Sequence, residues 1–207
     1  MQYKVNEIFY TLQGEGAHSG IPAVFVRFSG CNLRCPWCDT DFAEYHKMTA
    51  EQIVNEALSL YDIDNPRRKM CVLTGGEPSL QVDKELIDAL HDAGFYICIE
   101  TNGTRSLPDG IDWITCSPKQ GSQLSLKKVN EVKVVFTGTY SPEVWREHLE
   151  AEHWMLQPLR YNGELLMESF DEWENDCNDN LDETVRYIMS HPFWRLSVQL
   201  HKIAGLR

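Results

Sequence analysis

Cys31, Cys35 and Cys38 fall within the stretch "GCNLRCPWCDT", spaced C-x3-C-x2-C. Thiolates grouped this tightly read as metal ligands. Four cysteines in pairs would point to a closed structural zinc site, whereas three leave one coordination position open. A cubane 4Fe–4S cluster takes one thiolate per iron, so three cysteines on a short looping segment leave the fourth iron free to bind a substrate. A catalytic zinc also takes three protein ligands, but this spacing with no adjacent histidine suits it less well. His46, the nearest one downstream, reads as an exposed loop residue. A chance cluster is the weakest reading. Cys71, Cys98 and Cys116 lie inside apolar runs, where cysteine behaves as a small core residue, and Cys177 has no assigned place.

A loop of this kind must be held by a scaffold, and apolar β-branched runs alternating with helical patterns supply one. "AVFVRFSG" reads as a strand over Ala23 to Phe28 that runs directly into the cysteines. "TAEQIVNEALSLY" reads as a helix capped by Thr49, with Ile53, Ala57, Leu58 and Tyr61 on its apolar face. "KMCVLTGGEP" is a buried strand ending in a Gly-Gly turn, and "LQVDKELIDALHDAG" an amphipathic helix stopped by Gly94. "FYICIETNG", "DWITCSPK", "NEVKVVF" and "HWMLQPL" read as strands. "SPEVWREHLEA" reads as a helix with a serine cap and an early proline. "DNLDETVRYIMSHP" is the last helix and "WRLSVQLHK" the last strand, while "ESFDEWENDCNDN" reads as a solvated connection.

This alternation predicts an α/β fold with a mainly parallel sheet. Polar or glycine residues follow the strands in "SGC", "TGGEP", "ETNG", "SPK", "QPL" and "QLHK". In parallel α/β folds the site lies at the carboxyl ends of the strands, so these motifs are expected to converge on one mouth. About seven strands are too few for a closed eight-stranded barrel, so a partial, open barrel is expected. The 207 residues suit a single domain, residues 1–207, with the cysteine loop at 31–38.

The net charge of −12 argues against a chain that mainly grips nucleic acid. "MQYKVNEIFY" has no basic region followed by a long apolar run, so no signal peptide is expected, and no window approaches the roughly 20 apolar residues of a membrane span. Seven cysteines, an odd number, fit poorly with a disulfide framework, and a cytoplasmic location is expected.

The three cysteines and "GGEP", Gly75 to Pro78, together resemble the radical SAM superfamily, whose open cluster binds S-adenosylmethionine (SAM). "NEIFYTLQGEG" ahead of the cysteines, "CDT" closing them, then "LTGGEP", "ETNGT", "SPK", "LQP" and "QLHK" occur in the order seen in the 7-carboxy-7-deazaguanine synthase family, from the first residues to the last strand. The resemblance implies a fold of the radical SAM type and conversion of 6-carboxy-5,6,7,8-tetrahydropterin to 7-carboxy-7-deazaguanine and ammonia, in queuosine biosynthesis. The reduced cluster would split SAM to a 5′-deoxyadenosyl radical, and SAM would be re-formed after hydrogen is returned. Magnesium, an electron donor such as flavodoxin or ferredoxin, and a homodimer are implied as well.

The resemblance also implies residue roles. Cys31, Cys35 and Cys38 would hold the cluster, with Trp37 near the adenine. Cys38, Asp39, Gly75, Gly76, Glu77, Ser117, Lys119 and Gln157 would bind SAM, Asp39 contacting it or orienting the loop. Thr40 would offer magnesium an oxygen, which suits a hard cation that keeps its waters; a turn or cap residue is the rival reading. Leu12, Gln13 and Gly14 would present backbone to a flat heterocycle, with Thr74 and His201 beside it. Glu15 suits either an amidine-like edge or solvent. Arg27 would grip a substrate carboxylate unless a structural salt bridge claims it. His201 is either a pocket residue or ordinary hydrogen-bonded structure. Arg207 and the stretch "DFAEYHKM" have no assigned role. The rival functions are a glycyl-radical activase and a non-catalytic iron–sulfur or zinc module.

Overall fold

The computed structural model describes residues 1–38, 40, 44–61, 69–159 and 178–206. Asp39, Cys177, Arg207 and residues 168–177 of the acidic segment lie outside the described residues.

The strands are β1 (Tyr3–Leu12), β2 (Pro22–Phe28), β3 (His46–Met48), β4 (Lys69–Gly75), β5 (Phe95–Thr101), β6 (Trp113–Cys116), β7 (Glu131–Phe136), β8 (His153–Pro158) and β9 (Arg195–Leu196). They form one open sheet of nine strands in the order β3-β1-β2-β4-β5-β6-β7-β8-β9. From β2 onward every neighbouring pair is parallel, whereas β1 runs antiparallel to both β2 and β3. The partial parallel β/α barrel expected from the alternation is therefore present, with two antiparallel strands added at one edge. No element is assigned from the sequence to the segment that forms β1. Tyr3, Val5 and Phe9 alternate inward, but a register shift between Val5 and Glu7 breaks the period-two signal.

Helices α1 (Ala50–Ser59) and α2 (Lys84–Asp92) cover the outer face. Thr49 caps α1 in a reciprocal box with Gln52, and Ile53, Val54 and Ala57 enter the core. Asp83 caps α2 and also accepts from Tyr3 Oη at 2.7 Å, tying the helix start to β1. Gly94 ends α2 at φ +82°, as expected. A second core, around Trp145, Trp154 and Trp194, lies behind β7 and β8, and α3 (Asn178–Ser190) packs there.

Two expectations need correction. "SPEVWREHLEA" forms a 3-10 helix over Pro142–Glu147, not an α-helix. Its buried residues, Pro142 and Trp145, are three apart, the spacing that a 3-10 helix stacks on one face. "WRLSVQLHK" is not one strand, since β9 holds two residues and α4 (Leu200–Ile203) follows. After Ser197 donates its N–H to Leu156, the chain leaves the sheet because its next donors are used elsewhere, Leu200 N–H bonding to Gly14 O at 2.9 Å.

That bond identifies the most important feature of the fold. The β1–β2 hairpin tip, residues 13–20, turns into the barrel interior and is clasped from two sides. From β7, Lys133 Nζ reaches Glu15 at 2.7 Å and Glu131 accepts from Ala17 N–H at 2.7 Å. From the C-terminal side, Gly16 N–H bonds Ser197 Oγ at 3.0 Å and Gln199 bonds Glu15 at 2.9 Å.

Candidate active site

At the carboxyl ends of β2 and β4 two backbones are pressed together. A Cβ on Gly75 would lie 2.1 Å from Phe28 O, and one on Gly76 would lie 2.2 Å from Gly30 O. Gly76 N–H bonds Phe28 O at 2.9 Å and Glu77 N–H bonds Gly30 O at 2.8 Å. The glycines of "GGEP" are thus required first for this chain-on-chain approach, and Gly75 also sits at φ +127°.

The cysteine loop leaves this junction. Cys31 and Cys35 are half-buried, Cys38 is exposed, and all three are free thiols. Burial pushes the Cys31 thiol up, although Leu33 N–H donates to its sulfur at 3.4 Å; neighbouring Cys35 and Cys38 add to the rise. Among the described residues no group of three Cys, His, Asp or Glu side chains is arranged around a single ion. Three thiols on an irregular, partly exposed loop that opens into a cavity fit an iron–sulfur cluster. Cys71, Cys98 and Cys116 are buried, as expected of core residues, and burial lifts the Cys71 and Cys116 thiols to about 12.

One cavity of about 580 Å³ runs from the cysteine loop to the hairpin tip. Leu12, Gln13, Gly14, Arg27, Thr74 and His201 line it, with Cys31, Cys35, Trp37, Cys38 and Thr40 and with Gly75, Gly76, Glu77, Ser117, Lys119 and Gln157. Every site residue singled out from the sequence, Asp39 aside, therefore faces one space.

At the cluster end Lys119 Nζ donates to Ser117 O at 2.9 Å and to Ser117 Oγ at 2.7 Å. Burial lowers its pKa from the ordinary lysine value. Glu77 is 1% exposed, and its two oxygens accept from Ser79 N–H, Thr101 Oγ and Asn102 N–H.

At the far end Lys133 stands between Glu15 and Glu100, at 2.7 and 2.8 Å. Gln157 Nε2 at 3.2 Å and Gln199 Nε2 at 2.9 Å also donate to Glu15, and Gln13 Nε2 donates to Glu100 at 3.1 Å. Glu15 is thus largely withdrawn from solvent and accepts from three internal donors, which ties it to the cavity wall. The Gln157 amide, expected at SAM, is occupied by Glu15 and Ser197. Burial alone would raise the Glu15 carboxyl, but the Lys133 charge and the donors around it outweigh burial and lower it to about 2. Glu100 is raised, by burial first and then by Glu15 and Glu131, against the pull of Lys133.

Arg27 bonds Glu7 through Nε at 2.8 Å and lies 5.5 Å from the Phe9 ring. The salt-bridge reading of Arg27 holds for Nε, and the same pairing aims the guanidinium into the cavity. Gly14 has room for no side chain, because its Cβ would lie 2.2 Å from His201 Nδ1.

Glu7, Glu100, Lys133 and Gln199 line the cavity without having been singled out from the sequence. "NEVKVVF" did carry a signal. Glu131 and Lys133 are two apart in an otherwise apolar strand, so both charges must share one face.

The Glu15 shift makes an acid-stability prediction. The folded carboxyl binds a proton less readily than the unfolded one. Its contribution is therefore present above about 4.5 and is lost as pH falls toward about 2. Denaturant titrations across that window should show Glu15→Gln with a flatter acid limb than the parent. Parallel limbs would contradict it.

A family model described as the radical SAM superfamily matches residues 25–153. The cysteine loop, the Gly-Gly turn and the partial barrel define that class of enzyme. Two relatives named 7-carboxy-7-deazaguanine synthase, from Bacteroides thetaiotaomicron and Bradyrhizobium diazoefficiens, are 49% and 42% identical, with the whole of each chain covered. The crystal structure of QueE from Escherichia coli superposes with a TM-score of 0.73 at 28% identity, covering 97% of this chain and 95% of that one. The chain belongs to the 7-carboxy-7-deazaguanine synthase family of the radical SAM superfamily. Membership implies an iron–sulfur cluster and SAM. Among the described residues no helix is long and apolar enough to cross a membrane.

Proposed function

We propose that the chain converts 6-carboxy-5,6,7,8-tetrahydropterin to 7-carboxy-7-deazaguanine and ammonia, a step of queuosine biosynthesis. The observation that carries this reading is the single cavity joining the three-cysteine loop to a polar wall suited to a flat heterocycle. When bound, the cluster and SAM supply reversible hydrogen abstraction.

The chain's own residues bind and orient. Lys119 and Ser117 meet the SAM carboxylate, Trp37 packs by the adenine, and the Gly75–Gly76 backbone faces the methionyl amine. Glu77 supports that turn. The terminal nitrogens of Arg27 bind the pterin carboxylate, a paired-donor geometry that lysine does not offer. Gln13, Gly14 and Leu12 form one wall. Glu100 accepts from Lys133 and Gln13 among the described residues and keeps acceptor capacity for the ring edge. Thr74 and His201 complete the pocket, and Gln157 supports it through Glu15. Thr40, at the mouth, offers magnesium an oxygen beside a substrate carboxylate. The whole chain acts as one domain closed by residues 200–207. Its cytoplasmic location, homodimeric assembly and reduction by a flavodoxin- or ferredoxin-like carrier rest on the family resemblance.

The test is an anaerobic incubation of reduced, reconstituted protein with SAM, magnesium and the pterin, read by mass spectrometry. A deazaguanine acid with loss of ammonia is the expected product. Accumulation of 5′-deoxyadenosine with intact pterin would retain the radical chemistry and reject the substrate.

A further inference from the structure

Between Phe28 and His46 the described chain has no regular secondary structure, yet it must present three thiolates to one cluster. Its first anchor is the Gly30 contact with Gly76 and Glu77. The second is a closed triangle of side chains. Asn102 Nδ2 donates to Asn32 Oδ1 at 3.1 Å, Asn32 Nδ2 donates to Thr104 Oγ1 at 2.8 Å, and Thr104 Oγ1 donates to Asn102 Oδ1 at 2.7 Å. Donors and acceptors balance around the ring, and Thr104 N–H adds a further bond to Asn102 Oδ1 at 3.0 Å.

The triangle stands on Glu77. Asn102 N–H and Thr101 Oγ1 both donate to this buried carboxylate, at 2.7 and 2.6 Å. Gly103 makes the turn possible, since it sits at φ +77° and a Cβ there would lie 2.6 Å from Cys116 Sγ. Behind the turn, Ser125 and Leu126 donate their N–H groups to Gly103 O. Within 31–38, Asn32 alone among the described residues has a side-chain hydrogen bond to the body of the protein.

We infer that Asn32, Asn102 and Thr104 form a clasp that positions the cluster loop over the cofactor end of the cavity, with Glu77 acting through the clasp. These are positioning residues. Because Glu77 also closes the Gly-Gly turn, the clasp makes the cofactor turn and the cluster loop one unit. The inference rests on the reading that Cys31, Cys35 and Cys38 hold the cluster.

The test compares parent, Asn32→Ala, Thr104→Val and Thr104→Ser after anaerobic reconstitution. It reads iron and sulfide content, the rate of iron loss to a chelator, thermal stability and the electron paramagnetic resonance spectrum of the reduced cluster with and without SAM. Asn32→Ala and Thr104→Val should lose iron roughly three- to tenfold faster than the parent, the scale of one or two hydrogen bonds. They should also show a diminished SAM-induced spectral change at unchanged thermal stability. Thr104→Ser, which keeps the hydroxyl, should match the parent. Parent-like iron loss and spectra in both disrupting variants would overturn the clasp, as would a fall in thermal stability with an intact SAM response. A parent that takes up no iron and sulfide, or does not respond to SAM, would instead overturn the cluster reading beneath it.

Discussion

Lys133→Met is expected to cost roughly 3–5 kcal/mol of stability, the scale of removing one partner from a buried ion pair. Lys133 is 7% exposed and lies within 2.8 Å of both Glu15 and Glu100. Among the described residues Lys133 is the lysine that bridges the two carboxylates. Without it, burial dominates and both carboxyls move up, so the folded variant binds protons that the unfolded chain has released. Its deficit should accordingly be larger near pH 8 than near pH 5. Where the variant folds, Glu15 no longer holds the hairpin tip, and turnover should fall by about a hundredfold, as a misplaced binding wall would produce. Urea denaturation at the two pH values, with turnover on the same samples, checks this. A loss under about 1 kcal/mol at both pH values would mean the lysine behaves as a surface charge.

Gly76→Ala should leave a folded protein whose cluster chemistry is lost. The new Cβ would be placed 2.2 Å from Gly30 O, 2.5 Å from Gly30 C and 3.1 Å from Cys31 N. These are backbone atoms, which cannot swing aside as a side chain can. The turn must separate from the cysteine loop, with loss of the Glu77 N–H bond to Gly30 O. A displacement near 1 Å at a reacting centre costs on the order of a hundredfold in rate. Gly121→Ala is the control. It sits at positive φ, +79°, unlike Gly76, and meets nothing within 4 Å, so it carries backbone strain without a clash. Iron content and 5′-deoxyadenosine formation should fall in Gly76→Ala and hold in Gly121→Ala. Equal behaviour of the two variants would remove the steric argument.

The cluster end of the cavity was legible because its determinants are local. The cysteine spacing, the Gly-Gly turn and the strand that feeds the loop lie in short stretches. Even so, the resemblance gives the glycines to SAM, and the structure uses them first to bring two strand ends together. The far end was less legible because its bonds join distant segments. Glu15 sits in a polar loop, and nothing around it indicates that Lys133, 118 residues away, will bury it. The last strand was misread for the same reason, since it ends where its donors find the hairpin tip. Lys133 was overlooked despite its position, a charged residue in a strand otherwise fit for a core.

The clasped hairpin also bears on how this protein comes into being. The loop, turn and clasp of the cluster end are all contained within residues 28–104. The opposite wall needs Gln199 to meet Glu15 across 184 residues of chain. During synthesis from the N-terminus, the thiols and their supports are available long before that wall can close. A ribosome-bound chain could therefore acquire iron while it is still unable to enclose a substrate. The substrate-enclosing wall is then the last part to form, with the residues that seat Gln199 and His201 against the tip.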